Sequence, residues 1–317
     1  MKKPLITIGI TSYNSQRTII RAINSALSQT WRPIEIIVVD DCSSDNSYLM
    51  LKGLESENSV ISLFQNSINK GVAYSRNKII NNAKGEFLAF FDDDDVSLSE
   101  RLSHQYKRLT DYEQKFAKGN LVICHTSRKI VYENSINIIE NTMGENLNRS
   151  APEGIQVAKR ILFGNHLKDG YGSLATCSQM SRLNTYKIIG GFDNKFRRSE
   201  DTELSIRLAL KGTHFVGIKK TLVIQYMTKT EEKNYEDELK FFKMVIKKHK
   251  ELMTNKQYKF ALKWIYIKYI AYKNNLLDFI LNLIFIIFKY PILSINRLFL
   301  SFRNLIRNLY FFNFHNK

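Results

Sequence analysis

Short apolar runs alternate with longer stretches of mixed character through the first part of the chain. Ile6–Ile10, Ile34–Val39, Val60–Phe64 and Phe87–Phe91 are apolar at nearly every position, which predicts strands buried on both faces. Between them, 15–29, 44–56, 71–83 and 97–116 have the spacing of helices. Strands of this kind joined by helices imply a parallel sheet in a doubly wound α/β arrangement. The opening segment MKKPLITIGITSYNS carries two lysines and an apolar run. That run meets Thr11, Ser12 and Asn14 rather than a small-residue cleavage site, so it reads as the first strand.

In such sheets ligands bind beyond the carboxyl ends of the strands. Two predicted strands end in aspartates there: IEIIVVDD places Asp40 and Asp41, and FLAFFDDDD places Asp92 to Asp95. Both acidic groups should therefore face one crevice. Two carboxylates about 5 Å apart repel by about 3 kcal/mol at an effective dielectric near 20. A divalent cation relieves that repulsion, and an all-oxygen donor set suits Mg²⁺ or Mn²⁺. If the segment stays extended, alternate side chains share a face, and Asp92 and Asp94 converge on one ion. The competing reading is a solvated acidic turn.

Charge is uneven along the chain. Residues 240–317 hold 15 Lys/Arg against Glu251 and Asp278, whereas residues 1–239 hold 32 against 28 acidic residues, so most of the formal net charge of +17 lies in the tail. Cys42, Cys124 and Cys177 form no C-x-x-C pair, which predicts buried thiols in a reducing cytoplasm rather than a disulfide framework. His125 and His166 are expected to be packing or surface residues, not ligands.

The ordered set VVDDCSSDNS (38–47), NKGVAYSRN (69–77), KGEFLAFFDDDD (84–95) and GGFDNKFRRSEDTEL (190–204) resembles the successive motifs of the family 2 inverting glycosyltransferases. The resemblance covers roughly residues 4–225. It implies a GT-A fold: Rossmann-like, with a mostly parallel sheet and flanking helices. It also implies a nucleotide-sugar-binding half over 1–118, an acceptor-binding and catalytic half over 119–235, and a separate tail over 236–317. By position Asp92 and Asp94 become the D-x-D site for Mn²⁺ or Mg²⁺, with Asp92 also near the ribose. Asp41 becomes an acceptor for the uracil N–H, with Asp40 beside it, although either can instead cap the helix near Ser43 or Ser44. Lys70 and Arg76, at the start of a helix, meet nucleotide or diphosphate charge, or else pair with strand-end aspartates. Asp201 becomes the general base and Glu200 its neighbour, against the competing reading of a helix N-cap. Relatives supply a histidine ligand after this helix; VIQYMTKTEE (223–232) has none, and His214 falls earlier, in a predicted strand.

The tail reads as basic amphipathic helices. Leu298, Phe299, Phe302, Leu305, Ile306 and Leu309 recur on one face with Arg303 and Arg307 opposite, and Lys256, Lys259, Lys263 and Lys273 form a stripe beside Trp264. Such helices suit an anionic lipid surface. The segment 276–295 has the length of a membrane span but is interrupted by Asp278, Asn282, Lys289 and Pro291. The expectation is a membrane-associating helical tail holding the enzyme at the cytoplasmic face of a bacterial inner membrane. There it would move a hexose, with UDP-glucose favoured, to an acceptor of the GlcNAc-diphospho-undecaprenol type in surface polysaccharide assembly. Two alternatives are a haloacid-dehalogenase-like phosphatase using Asp92 as nucleophile, and a nucleic-acid-binding protein using the basic tail. Three βα units precede the aspartates, which disfavours the phosphatase, and the apolar residues interleaved in the tail disfavour nucleic acid as a partner.

Overall fold

The structure is a computed structural model and describes residues 3–132, 137–227 and 235–303. Strands β1 (Ile6–Ser12), β2 (Ile34–Asp40), β3 (Ile61–Gln65) and β4 (Phe87–Asp92) pair in parallel in the order β3-β2-β1-β4. They are joined by helices α1 (Ile19–Leu27), α2 (Ser47–Glu57) and α3 (Val72–Asn82). The period of two along each strand feeds two cores: Ile6, Ile8, Phe87 and Ala89 pack on one face, Ile37, Val39, Leu88 and Phe90 on the other. Ser12 lies opposite Asp40 and Thr11 opposite Asp92, so three strands finish on one edge.

Beyond β4 the sheet departs from the expected parallel order. A short strand, β8 (Gln179–Arg182), runs antiparallel between β4 and β6 (Val122–Val131). The long β9 (His214–Tyr226) is parallel to β6, while β5 (Val96–Ser97) and β7 (Asn137–Glu140) pair antiparallel with β9 and β6. The sheet is therefore mixed, with four parallel and four antiparallel pairings among the described residues. Strands as short as β5 and β8 leave no periodic signature in a sequence. Because Val96–Ser97 is used as a strand, helix α4 (Arg101–Tyr112) begins later than its pattern predicts.

Helices α5 (Gly154–Phe163), α6 (Leu183–Ile188) and α7 (Glu200–Leu210) cover the second half, followed by α8 (Tyr235–Lys248), α9 (Asn255–Tyr272), α10 (Leu276–Lys289) and α11 (Pro291–Arg303). The predicted segment 276–295 is thus two helices, broken before Pro291. Val245, Ile246, Phe260, Trp264 and Ile286 share one apolar core with Phe90 and Leu204. Trp264, expected at a lipid surface, is only 7% exposed and stacks on Phe260 with ring centroids 6.0 Å apart. The exposed apolar surface lies instead on α10 and α11, at Leu277, Leu281, Phe288, Ile292 and Phe299. No described helix is long and apolar enough to cross a membrane. Leu305, Ile306, Arg307 and Leu309 lie outside the described residues.

Candidate active site

The strand ends open onto a cleft of about 2370 Å³. Its walls come from Thr11–Thr18 at the end of β1 and beyond it, Asp41 after β2, the start of α3, Asp92–Asp94, Arg128, and Arg197–Thr202 at the start of α7. A single small molecule needs about 300–1,000 Å³, so two substrates fit side by side.

Asp40 and Asp41 separate on inspection. Asp40 is fully buried and holds the β2–α2 loop, accepting from Ser43 N at 3.0 Å, Ser43 Oγ at 2.5 Å and Gln65 Nε2 at 3.2 Å. Asp41 faces the cleft and accepts from Asn66 Nδ2 (2.7 Å), Lys70 N (2.9 Å) and Gly71 N (2.7 Å). It thereby fixes the turn into α3, where Gly71 takes φ +88°, a conformation that side chains disfavour. Lys70 directs its Nζ to Tyr74 Oη at 3.1 Å and lies over that ring. Neither Asp40 nor Lys70 lines the cleft. In this structure Asp40 is engaged within the β2–α2 loop and Lys70 with Tyr74.

Arg76 is 5% exposed and donates to Glu200 Oε1 at 2.6 Å and Asp92 Oδ1 at 3.3 Å, with Phe90 and Phe192 beneath its guanidinium. Burial works against its charge, but Glu200 and Asp92 outweigh burial and raise its pKa further. One cation therefore joins the end of β4 to the start of α7, two motifs far apart in sequence. A second link runs beside it: Arg197 donates to Asn69 Oδ1 at 3.1 Å and to the Asn69 carbonyl at 3.3 Å.

The four aspartates do not form an extended run. β4 stops at Asp92 and the chain turns at Asp93–Asp94, so the alternation that paired Asp92 with Asp94 does not apply. Both still line the cleft. Asp93 accepts from Tyr13 N at 3.1 Å, and burial together with the charge of Asp94 pushes its pKa up to about 7. Asp95 is buried; its Oδ1 accepts from Tyr226 N at 3.2 Å and its Oδ2 has no hydrogen-bond partner. Burial and the charges of Asp94 and Asp92 hold the Asp95 carboxyl well above the usual carboxylate range. Ligand atoms of Asp92, Asp95 and Cys177 lie within 4.8 Å of one another. Burial also raises the Cys177 thiol, which keeps it protonated and a weak ligand. The orphaned Asp95 oxygen among like charges fits a bound hard cation, which would satisfy it and relieve the repulsion.

Glu200 and Asp201 open α7 behind Ser199, which adopts a left-handed φ of 58°, strain that a non-glycine residue accepts where the chain must present side chains in a fixed direction. Asp201 lines the cleft and accepts from Thr202 N at 2.6 Å and Thr202 Oγ1 at 3.2 Å. Arg128 was not foreseen. It lies buried on β6, pairs with Glu140 and donates to Gln225 Oε1 at 2.7 Å, Ser173 Oγ at 2.8 Å and Cys177 Sγ at 3.4 Å. Nothing in its local sequence marks it. Arg197 and Arg198 stood in the RRSED string and could have been named from it.

A family model, Glycosyl transferase family 2, matches residues 7–165. The chain is 37% identical over 123 residues to the UDP-Glc:alpha-D-GlcNAc-diphosphoundecaprenol beta-1,3-glucosyltransferase WfgD of Escherichia coli, covering 39% of this chain and 48% of that protein. WfaP of the same organism, with the same described activity, is 35% identical over 38% of this chain and 47% of its own length. The chain spans about half the length of these curated relatives. The putative glycosyltransferase EpsE of Bacillus subtilis is 28% identical over 69% of this chain and 72% of that protein. Among solved structures, S. aureus TarS 1–349 in complex with UDP-GlcNAc superposes with a TM-score of 0.60 at 18% identity, covering 84% of this chain and 72% of that one, a likeness of fold of the GT-A kind. The family match over half the chain, with these motifs gathered on one cleft, makes the chain a member of glycosyl transferase family 2.

Proposed function

We propose that the enzyme transfers a hexose, with UDP-glucose favoured, to a lipid-linked acceptor of the GlcNAc-diphospho-undecaprenol type, with inversion at the anomeric carbon. The observation that carries this reading is Arg76, which holds Asp92 and Glu200 in one cleft with Asp201 adjacent. The roles of the side chains follow from that arrangement. Asp41, with the turn it organises, receives the base. Asp92 and Asp94, joined by Asp95 through its unpartnered oxygen, would hold Mn²⁺ or Mg²⁺, and the ion would supply positive charge against the diphosphate of the donor. Asp201 takes the proton of the acceptor hydroxyl as that oxygen attacks the anomeric carbon. The bond from that carbon to the diphosphate oxygen breaks on the opposite face, and the nucleoside diphosphate leaves with its electron pair. Arg76, paired with Glu200, keeps that carboxylate from competing with Asp201 for the proton, and Glu200 so held helps to place the acceptor or the base.

Two relatives are named for acceptors of this lipid-linked type, and others for succinoglycan and colanic acid biosynthesis, which supports a role in bacterial surface polysaccharide assembly, O-antigen included. The exposed apolar face of α10 and α11 supports peripheral attachment at the cytoplasmic face of the inner membrane. The test is a screen of UDP-sugars with Mn²⁺ against a synthetic GlcNAc-diphospho-lipid, with product linkage and anomeric configuration read by NMR. Transfer with inversion is expected. Retained configuration, or no transfer from any UDP-sugar, overturns the reading.

A further inference from the structure

Behind Asp201 the main cleft leads into a side cavity of about 340 Å³. Asp201 and Thr202 line both spaces, whereas Asp41, Arg76 and Asp92–Asp94 line only the main one. The side cavity therefore adjoins Asp201 and has none of the donor carboxylates in its wall. Three cations from separate parts of the chain line it: Arg160 in α5, Lys268 in α9 and Arg297 in α11. Two acidic residues line it as well, Asp201 and Glu140, and Glu140 is already paired with Arg128.

Arg297 is held by the C-terminal end of α5, donating to the carbonyls of Ile161 at 3.2 Å and Leu162 at 2.7 Å, while its buried Nε has no partner. Burial and the charge of Arg160 bring its pKa down to about 9. Lys268 is exposed to the cleft, and the surrounding protein and the charge of Arg297 hold its ammonium below the usual lysine range, Glu238 offsetting part of this. Each of these pKa values would return upward on binding an anion. Lys268 and Trp264 line both spaces, and on the main-cleft side the wall they belong to is apolar, with Phe279, Leu283, Leu298 and Phe299 from α10 and α11.

We infer that Arg160, Lys268 and Arg297 form an acceptor subsite that grips the diphosphate of the lipid-linked sugar, with the apolar wall receiving the first part of its lipid chain. This rests on the proposed function. It adds residues from the tail to substrate recognition and explains how an acceptor sugar is brought against Asp201: the diphosphate is clamped one sugar ring away. Charged hydrogen bonds of this kind are geometrically specific, and Arg160 and Arg297 offer planar forks to phosphate oxygens.

Lys268→Met and Arg160→Gln test the proposal; Arg297 is avoided because it also caps α5. Acceptor KM for GlcNAc-diphospho-lipid is expected to rise about tenfold or more in each variant. KM for an alkyl GlcNAc without diphosphate, KM for the donor, and UDP affinity should stay unchanged. Equal loss on both acceptors, or no loss on either, overturns the subsite. A second readout needs no turnover. Trp264 lines both cavities and is one of two tryptophans in the chain. Inorganic pyrophosphate added to full-length protein in EDTA should change its fluorescence, with no change in Trp264→Phe and weaker binding in the cation variants; an identical titration in those variants overturns the proposal. If the wild type transfers to no GlcNAc acceptor, the functional reading fails while the pyrophosphate titration still decides the subsite. Vesicles of phosphatidylglycerol separate the two sources of anion: unchanged vesicle binding in Lys268→Met supports the acceptor diphosphate, and lost binding assigns the cations to lipid headgroups and overturns it.

Discussion

Removing Arg76 would leave the carboxylates of Asp92 and Glu200 in a buried cleft with no cation between them. Breaking a buried pair by deleting one partner costs about 3–5 kcal/mol, and here one guanidinium serves two carboxylates. Arg76→Met is therefore expected to lower the free energy of unfolding by about that amount. It should also abolish transfer, while Arg76→Lys recovers part of the stability because a point charge reaches one partner and not both. Urea denaturation of the three proteins checks this; equal midpoints would refute it. Asp201 should behave in the opposite way. It accepts from Thr202 and lies at the cleft surface, so Asp201→Asn should leave folding and UDP binding intact. Turnover should fall by about 10²–10⁴, the usual contribution of a general base. Most of these residues were legible in the sequence, because Asp41, Arg76, Asp92, Glu200 and Asp201 stand in short strings at predicted strand ends and helix starts. Asp95 and Cys177 were not, since their meeting with Asp92 depends on the turn at Asp93–Asp94 and on a segment more than eighty residues away, as the numbering shows. Asp40 and Lys70 show the converse: sequence gave their positions, but a loop hydroxyl and a tyrosine ring decide where their side chains point.

At the scale of elements, the placement of α7 matters most, because its first turn carries Glu200 and Asp201. Its anchor is Glu203, which is fully buried and accepts from Arg207 Nε at 2.9 Å and Lys248 Nζ at 2.6 Å, with His249 Nε2 at 3.6 Å. Burial would raise the Glu203 carboxyl, but His249, Arg207 and Lys248 outweigh it and bring its pKa down to about 2. A folded pKa below the ordinary 4.5 stabilises the protein above pH 4.5, and that contribution disappears as the pH falls through 4.5 towards 2. Its size is about 3 kcal/mol. Glu203→Gln should lower stability at neutral pH by a similar amount and flatten the acid limb of the stability curve across that window. An unchanged acid limb would show that other carboxylates govern it. The parallel strands β1–β4 and their helices were legible because long apolar runs alternate with helical spacing. The antiparallel strands were not, because β5 and β8 are only two and four residues long and owe their existence to β9 and β6.

Across the whole molecule, the tail does two things that its composition alone assigned to one. Helices α8 and α9 add Val245, Ile246, Phe260 and Trp264 to the apolar core that also holds Val157 of α5 and Leu204 of α7, so cutting the chain before α8 would uncover part of that core. The exposed apolar surface of the tail lies on α10 and α11, at Leu277, Leu281, Phe288 and Ile292, and is the surface proposed to meet lipid. Cations border it: Lys263 and Lys289 lie 5.6 and 5.0 Å from the ring centroid of Phe285, itself half-exposed on α10. An apolar face edged by lysines should bind anionic vesicles more tightly than neutral ones, because each cation near the surface adds about 1 kcal/mol and salt screens that share. Replacing Leu281 and Phe288 together with Asp should release the protein from phosphatidylglycerol vesicles. Changing Lys263 and Lys289 to Gln should weaken binding roughly fivefold per residue at low salt and little at high salt. Neither change touches the cleft carboxylates, so transfer to a water-soluble acceptor should persist in both while transfer to a vesicle-borne one falls. Co-sedimentation at low and high salt, with the two assays alongside, separates the contributions. If the double Asp variant sediments with vesicles as the parent does, the face on α10 and α11 is not the one that meets lipid.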